Sequence, residues 1–218
     1  MPRLWGKCMK KHTKISNAVI KRMPRYRRYL KDLEQKGVNK ISSGEFSRLI
    51  GYTASQIRQD FNNFGGFGQQ GYGYNVTALH NEISTILGLD KEYKMAVVGA
   101  GNLGQAIINY TYYHKSGFVV SGVFERSPRL IGVKINDIEI LDFEYLEAYI
   151  KEHKIDIGII CTTKDNAQEV ADRLSAAGIK GIWNFAPVDL ILPEHVALEN
   201  MHLSDSLHSL AYHINKTK

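Results

Sequence analysis

Hydrophobic residues recur at helical spacing in the first half of the chain and in short unbroken runs in the second. In the segment 24–35, Tyr26, Tyr29, Leu30 and Leu33 form one stripe with the 3.6-residue period of a helix buried on one side. Helical character begins at Ser16, so Pro24 is expected to start a new helix or sit in its first turn, and Gly37 to end it. Ser42 or Ser43 can cap a second helix, 44–50, closed by Gly51, and Thr53 a third, 54–61. Three short helices with tight turns predict a helix-turn-helix whose last helix enters a major groove. The stretch FNNFGGFGQQGYGYNV (61–76) alternates glycines with aromatics, which suits the small hairpin of a wing. Phe64, Phe67, Tyr72 and Tyr74 could instead form a base-stacking platform for single strands. Val76, Leu79, Ile83, Ile86 and Leu87 then mark a further amphipathic helix, and LDKEYK (89–94) the junction between a domain 1–90 and a domain 91–218.

Beyond the junction, apolar runs at 95–98, 118–124, 155–161 and 180–185 alternate with helical stretches at 105–110 and 165–177, the second ended by Gly178. Asn136-Asp137 reads as a turn between two short strands. Strands alternating with helices predict a parallel, doubly wound α/β sheet. The last stretch puts Leu203, Leu207, Leu210, Ala211 and Ile214 on one helical face, able to pack on its own sheet or on a partner subunit.

Charge separates the halves. Residues 1–94 carry 17 Lys plus Arg against 7 Asp plus Glu, net +10, whereas 95–218 carry 11 against 15, net −4. A basic module joined to an acidic one suggests a polyanion reader coupled to something else, although a solvated basic face explains the first half equally well. No apolar run is long enough to span a membrane. The N-terminus MPRLWGKCMKKH lacks the apolar core of a secretion signal, so a cytoplasmic location is expected. Cys8 and Cys161 form no motif and read as a tail thiol and a strand-end thiol.

The candidate chemistry sits at AVVGAGNLG (96–104), where an apolar strand feeds Gly99-x-Gly101-x-x-Gly104 and a helix follows. Gly99 allows the tight turn, Gly101 lets backbone approach a pyrophosphate, Gly104 lets helix and strand pack closely, and the helix start offers N–H groups to phosphate. Glu125, 21 residues after Gly104 at a strand end, stands where a carboxylate holds the adenosine ribose hydroxyls. That favours NAD(H), while Arg126 and Arg129 leave the phosphorylated dinucleotide open. Ligands on such sheets lie beyond the strands' carboxyl ends, where Thr162, Thr163 and Asn184 to Pro187 would converge on the glycine turn. No Ser/Tyr/Lys or His/Asp constellation for catalysis stands out. His202, His208 and His213 lack the spacing of metal ligands on one helix face, so no metal is expected.

Five stretches together resemble the Rex family of bacterial redox-sensing repressors: ISNAVIKRMPRYRRYL (15–30), TASQIRQDF (53–61), GYGYNV in the wing, VGAGNLG (98–104) and AAGIKGIWNFAP (176–187). The resemblance runs from about Ile15 to Ile214. It implies a homodimer of winged-helix and Rossmann domains, with the terminal helix (about 203–214) exchanged between subunits. It also implies palindromic operator DNA as partner, released as NADH rises. On this resemblance Gly99, Gly101, Asn102, Leu103 and Gly104 hold the pyrophosphate and Glu125 the ribose, with Ala100 and Arg126 beside them among the cofactor-binding residues. Tyr110 and Phe185 lie near the nicotinamide, with Thr162, Thr163 and Asn184 at the strand ends. The DNA set is Ser43, Thr53, Ser55, Gln56, Arg58, Gln59 and Asp60, with Gln69, Gln70 and Tyr72 from the wing. Arg28 matches an arginine that pairs with an acidic residue at the start of the exchanged helix, a position held here by His202. Gln59, Gln69 and Gln70 stand where the family commonly has basic residues, and C-T-T (161–163) replaces T-V-P. These departures imply weakened or altered operator recognition and a changed redox discrimination, and they leave two other readings: a small NAD-dependent oxidoreductase, or a dinucleotide-binding protein with weakened DNA recognition.

Overall fold

A computed structural model describes residues 15–64, 73–110 and 116–216. The chain divides into two compact units, Met1–Asp90 and Lys91–Lys218.

In the first unit α1 (Asn17–Gln35) is followed by β1 (Lys40–Ile41), α2 (Ser43–Ile50), α3 (Ala54–Asn62), β2 (Tyr74–Asn75) and α4 (Val76–Ile86). Side-chain caps define the starts: Ser16, Ser42, Thr53 and Asn75 each accept a backbone N–H from the first turn. Ser42 and Glu45 complete a reciprocal capping box. Helix α1 does not restart at Pro24, contrary to the sequence expectation; it runs through it. The reason is tertiary: Val19, Met23, Tyr26 and Leu30 bury one continuous face across the proline, which itself lies on the exposed side. These residues pack with Ile41, Phe46, Ile50, Ile57, Phe61, Val76, Leu79 and Ile83 into one core. The described end of the wing segment pairs with β1, Ile41 opposite Tyr74; residues 65–72, where the hairpin was expected to turn, lie outside the described residues. Tyr74 meets Phe61 edge-on at 5.2 Å and Phe64 packs against the core, so neither serves a stacking platform; Phe67 lies outside the described residues.

The second unit contains β3 (Tyr93–Val98), α5 (Asn102–Ile108), β4 (Phe118–Glu125), β5 (Lys134–Ile135), β6 (Ile138–Asp142), α6 (Leu146–His153), β7 (Ile157–Ile160), α7 (Lys164–Ala176), β8 (Gly181–Asn184), β9 (Ala197–Asn200) and α8 (Leu203–Lys216). A 3-10 turn, Phe143–Tyr145, joins β6 to α6. The sheet order is β5-β6-β4-β3-β7-β8-β9, antiparallel only at β5, which forms a hairpin with β6 around Asn136 and Asp137, both in the left-handed region. The six parallel strands run 3-2-1-4-5-6 in their own order, the topology of dinucleotide-binding sheets, with the switch point between β3 and β7. Both faces are covered. Ala96 and Val98 of β3 join one apolar cluster, Met95 and Val97 the other. That is why β3 reads as a continuous apolar run and not as an alternating one. Strand β9, four residues with none buried, carried no apolar signal in the sequence.

Among the described residues helix α8 has no buried position: Leu203, Leu207, Leu210, Tyr212 and Ile214 are all more than half exposed. Packing on its own sheet, one of the two options open in the sequence, is therefore not what the fold does.

Candidate functional site

The glycine turn lies at the carboxyl end of β3, beside the switch point. Gly99 has φ +101°, and a Cβ there would fall 2.6 Å from the Cys161 carbonyl oxygen. At Gly104 a Cβ would lie 1.9 Å from the Gly99 carbonyl oxygen, so only glycine lets α5 approach β3 this closely. Gly104 is buried and acts by packing, a correction to its placement among the direct pyrophosphate contacts. A Cβ at Gly101 would meet open space, and no side chain caps α5, so the first turn of the helix, including Asn102 and Leu103, is left for a ligand. This contrasts with the four capped helices of the first unit.

Glu125 at the end of β4 is tied to that turn. One carboxylate oxygen accepts from the Ala100 N–H at 2.8 Å; the other accepts from Arg126 N–H at 2.7 Å and Ser127 N–H at 3.1 Å. Burial pushes this carboxyl up, but the three donors outweigh it and hold it below the usual range, so it is ionised. A carboxylate has about four acceptor positions, so capacity remains for a ribose hydroxyl. Ala100, expected among the cofactor-binding residues, is fully buried with its N–H donated to Glu125, so its link to the site runs through that carboxylate.

A cleft of about 230 Å³ opens between the turn and the ends of β4 and β7. Gly99, Gly101, Glu125, Arg126, Thr162 and Thr163, all expected at the site, line it. Six further residues share the lining: Val98, Phe124, Phe143, Cys161, Asn166 and Val170. Phe143 was missed because its signal lies in the fold: it follows β6, a strand whose place beside β4 the sequence did not show. Cys161 lines the wall as a thiol, pushed up to about 12 by burial. The cleft suits a flat apolar base beside a ribose, with a carboxylate at one end and a phosphate-compatible backbone turn at the other.

One residue expected near the ligand does different work. Asn184 is fully buried; its amide nitrogen donates to the Val188 carbonyl at 2.8 Å and to Asn200 Oδ1 at 2.9 Å, and its oxygen accepts from Ala186 N–H at 3.0 Å. It is a clamp on the loop after β8, a correction to its assignment as a ligand contact. That loop begins with Phe185, half-buried and 4.6 Å from the Trp183 ring. Tyr110, 53% exposed, follows α5.

In the first unit, α3 presents Ser55, Arg58 and Gln59, together with Asn62, on its exposed side, and Thr53 caps it. Arg58 donates to Ser43 Oγ at 2.9 Å, which joins α2 to this face. Asp60 is the clear correction: it is 0% exposed and cannot touch DNA. Its carboxylate accepts from Arg22 Nε at 2.6 Å and Nη2 at 2.8 Å, from Tyr26 Oη at 2.6 Å and from Gln56 Nε2 at 2.9 Å. Burial alone would raise Asp60, but these partners hold it below the normal range, so α3 is pinned to α1 by an ionised pair whose carboxylate is fully buried. Gln56 is thereby half-committed to the interior. Gln69, Gln70 and Tyr72 lie outside the described residues, as does Cys8. Arg28 is exposed on α1 over the Tyr29 ring, and His202 Nε2, ahead of α8, lies 3.7 Å from Asp189 Oδ1. Among the described residues no group of His, Cys, Asp and Glu could hold a metal, and no helix is long and apolar enough to cross a membrane.

Residues 90–188 match a family model described as "CoA binding domain", and 14–62 one described as "Putative DNA-binding protein N-terminus". The chain is 60% identical over 208 residues to the redox-sensing transcriptional repressor Rex of Thermoanaerobacter pseudethanolicus, covering 95% of this chain and 93% of that one. It is 56% identical to the Rex of Clostridium beijerinckii over 96% of this chain and all of the other. Among solved structures, RSP in complex with beta-NAD+ and operator DNA matches with TM-score 0.90 at 60% identity, covering 94% of each chain. RSP in complex with beta-NADH matches with TM-score 0.87 at 56% identity, over 94% of this chain and 96% of that one.

Proposed function

The chain belongs to the Rex family of redox-sensing transcriptional repressors, and from that membership we propose how its residues carry the function. The observation that carries most weight is the 60% identity, across nearly the whole chain, to a repressor captured with both NAD+ and operator DNA. In this reading the exposed side of α3, Ser55, Arg58 and Gln59 with Thr53 and Ser43 nearby, reads operator DNA in a major groove. The turn 99–103 takes the pyrophosphate, Glu125 the adenosine ribose, and the cleft walled by Phe143, Thr162 and Thr163 the base. Tyr110 and Phe185 serve the nicotinamide end. The bound dinucleotide supplies a redox-dependent shape and charge, and no reaction is run on it; the protein is a regulator without catalysis of its own, working in the cytoplasm.

The CoA description of the matched model fits less well than NAD(H). CoA carries a phosphate on its adenosine ribose, and an ionised Glu125 at that position would repel it. The shared feature is the ADP-binding sheet.

The uncovered apolar face of α8 supports a homodimer, which also suits a palindromic operator. Operator affinity falls with NADH because NADH has higher affinity for the DNA-incompetent state than for the competent one. Fluorescence anisotropy with a palindromic Rex-type duplex at fixed salt tests this, without nucleotide, with NAD+ and with NADH. Specific binding released by NADH at concentrations where NAD+ has little effect is expected. Specific binding that NADH leaves unchanged refutes the reading; equal release by both forms would leave a dinucleotide sensor without redox discrimination.

A further inference from the structure

Arg126 follows Glu125 directly at the end of β4, a position from which a guanidinium can meet a 2′-phosphate on the adenosine ribose. Here that guanidinium is committed elsewhere. It forms an ion pair with Glu169 on α7 and lies over the buried Phe143 ring, 4.3 Å from its centroid. Arg173, itself held by Glu147, lies over the same ring at 4.2 Å. Phe143 is thus clasped by two guanidiniums, each tied down by a carboxylate, and Arg126 serves as a wall of the cleft and not as its anion receptor. What faces the ribose is the ionised Glu125.

We propose that Glu169 is a specificity-determining residue: by holding Arg126 against Phe143 it denies a cation to 2′-phosphorylated dinucleotides and restricts the cleft to ribose with free hydroxyls. This rests on the NAD(H) reading of the site. Glu169 lies outside the lining of the cleft and is half exposed, so its removal leaves the fold intact. An exposed ion pair holds weakly, so once the carboxylate is gone a ligand phosphate can compete for the guanidinium. Glu169 also repels a phosphate directly over distances within the screening length, so the release of Arg126 must be separated from simple loss of charge.

Calorimetry on the full chain with NADH and with NADPH makes the test, using wild type, Glu169→Gln, Arg126→Ala and the double variant. Glu169→Gln is expected to raise NADPH affinity about fivefold, or about 1 kcal/mol, with NADH affinity held within about twofold. The gain should vanish in the double variant. An unchanged NADPH-to-NADH ratio in Glu169→Gln overturns the proposal, as does a gain that persists without Arg126. Failure of the wild type to bind NADH overturns the NAD(H) reading, and the proposal falls with it.

Discussion

Replacing Asp60 by Ala removes the acceptor that binds α3 to α1. Four hydrogen bonds disappear, two of them a bidentate contact with Arg22. Tyr26 Oη is buried and loses its acceptor, while Arg22, 20% exposed, can recover some hydration. Breaking a buried ion pair from one side destabilises by about 3–5 kcal/mol, and the partial exposure of Arg22 puts this pair at the low end, about 3 kcal/mol. Hydrogen exchange on the full chain reads it locally: amides of α3 should exchange on the order of a hundredfold faster, while those of β3 and β7 stay unchanged. Asp60→Asn keeps part of the contact and should fall between. The pair also sets a pH dependence. Asp60 is depressed in the folded state, so its contribution is complete above the unfolded carboxylate value of about 3.9 and is lost as pH falls through its lower folded value. Exchange in α3 accelerated less than about fivefold by Asp60→Ala would refute the reasoning, because the pair would then be dispensable.

Three further outcomes follow from the same geometry. Gly104→Ala forces a Cβ to within 1.9 Å of the Gly99 carbonyl oxygen, so NADH affinity measured by fluorescence should fall at least about tenfold as α5 is displaced from β3. Gln59→Lys adds a cation on the exposed side of α3 in each subunit and should both tighten operator binding and steepen its dependence on log salt by about one per subunit, about two for the dimer, as measured by anisotropy over a salt series. Leu207→Asp, on the uncovered face of α8 where the side chain is 65% exposed, should leave the fold intact by circular dichroism but shift sedimentation toward monomer; an unchanged dimer would show that α8 is not the interface.

Most of the architecture was legible because its signals are local. Ser42, Thr53 and Gly51 fix helix ends by chemistry within a turn, and the MAVV run of β3 reports burial on both faces. The glycine turn and Glu125 were legible as a candidate nucleotide site for the same reason, and the fold joins them through the Ala100 N–H. What escaped depends on which neighbours each residue meets in the folded chain. Asp60 sits on α3 among residues expected to face DNA, and Arg22 and Tyr26, 38 and 34 positions earlier, turn it inward. Asn184 resembles a strand-end ligand group until the loop from Ala186 to Val188 and Asn200 use up its amide. Pro24 is a helix breaker by local rule, overridden because the buried face of α1 is continuous across it. Phe143 becomes a cleft wall only when β6 pairs with β4.

One chain couples dinucleotide to operator, and coupling between two equilibria is reciprocal. The most direct test is to measure NADH affinity by calorimetry with and without saturating operator duplex, alongside operator affinity with and without saturating NADH. Operator is expected to weaken NADH binding by the same factor by which NADH weakens operator binding. NADH affinity that is indifferent to a specifically bound operator would contradict it.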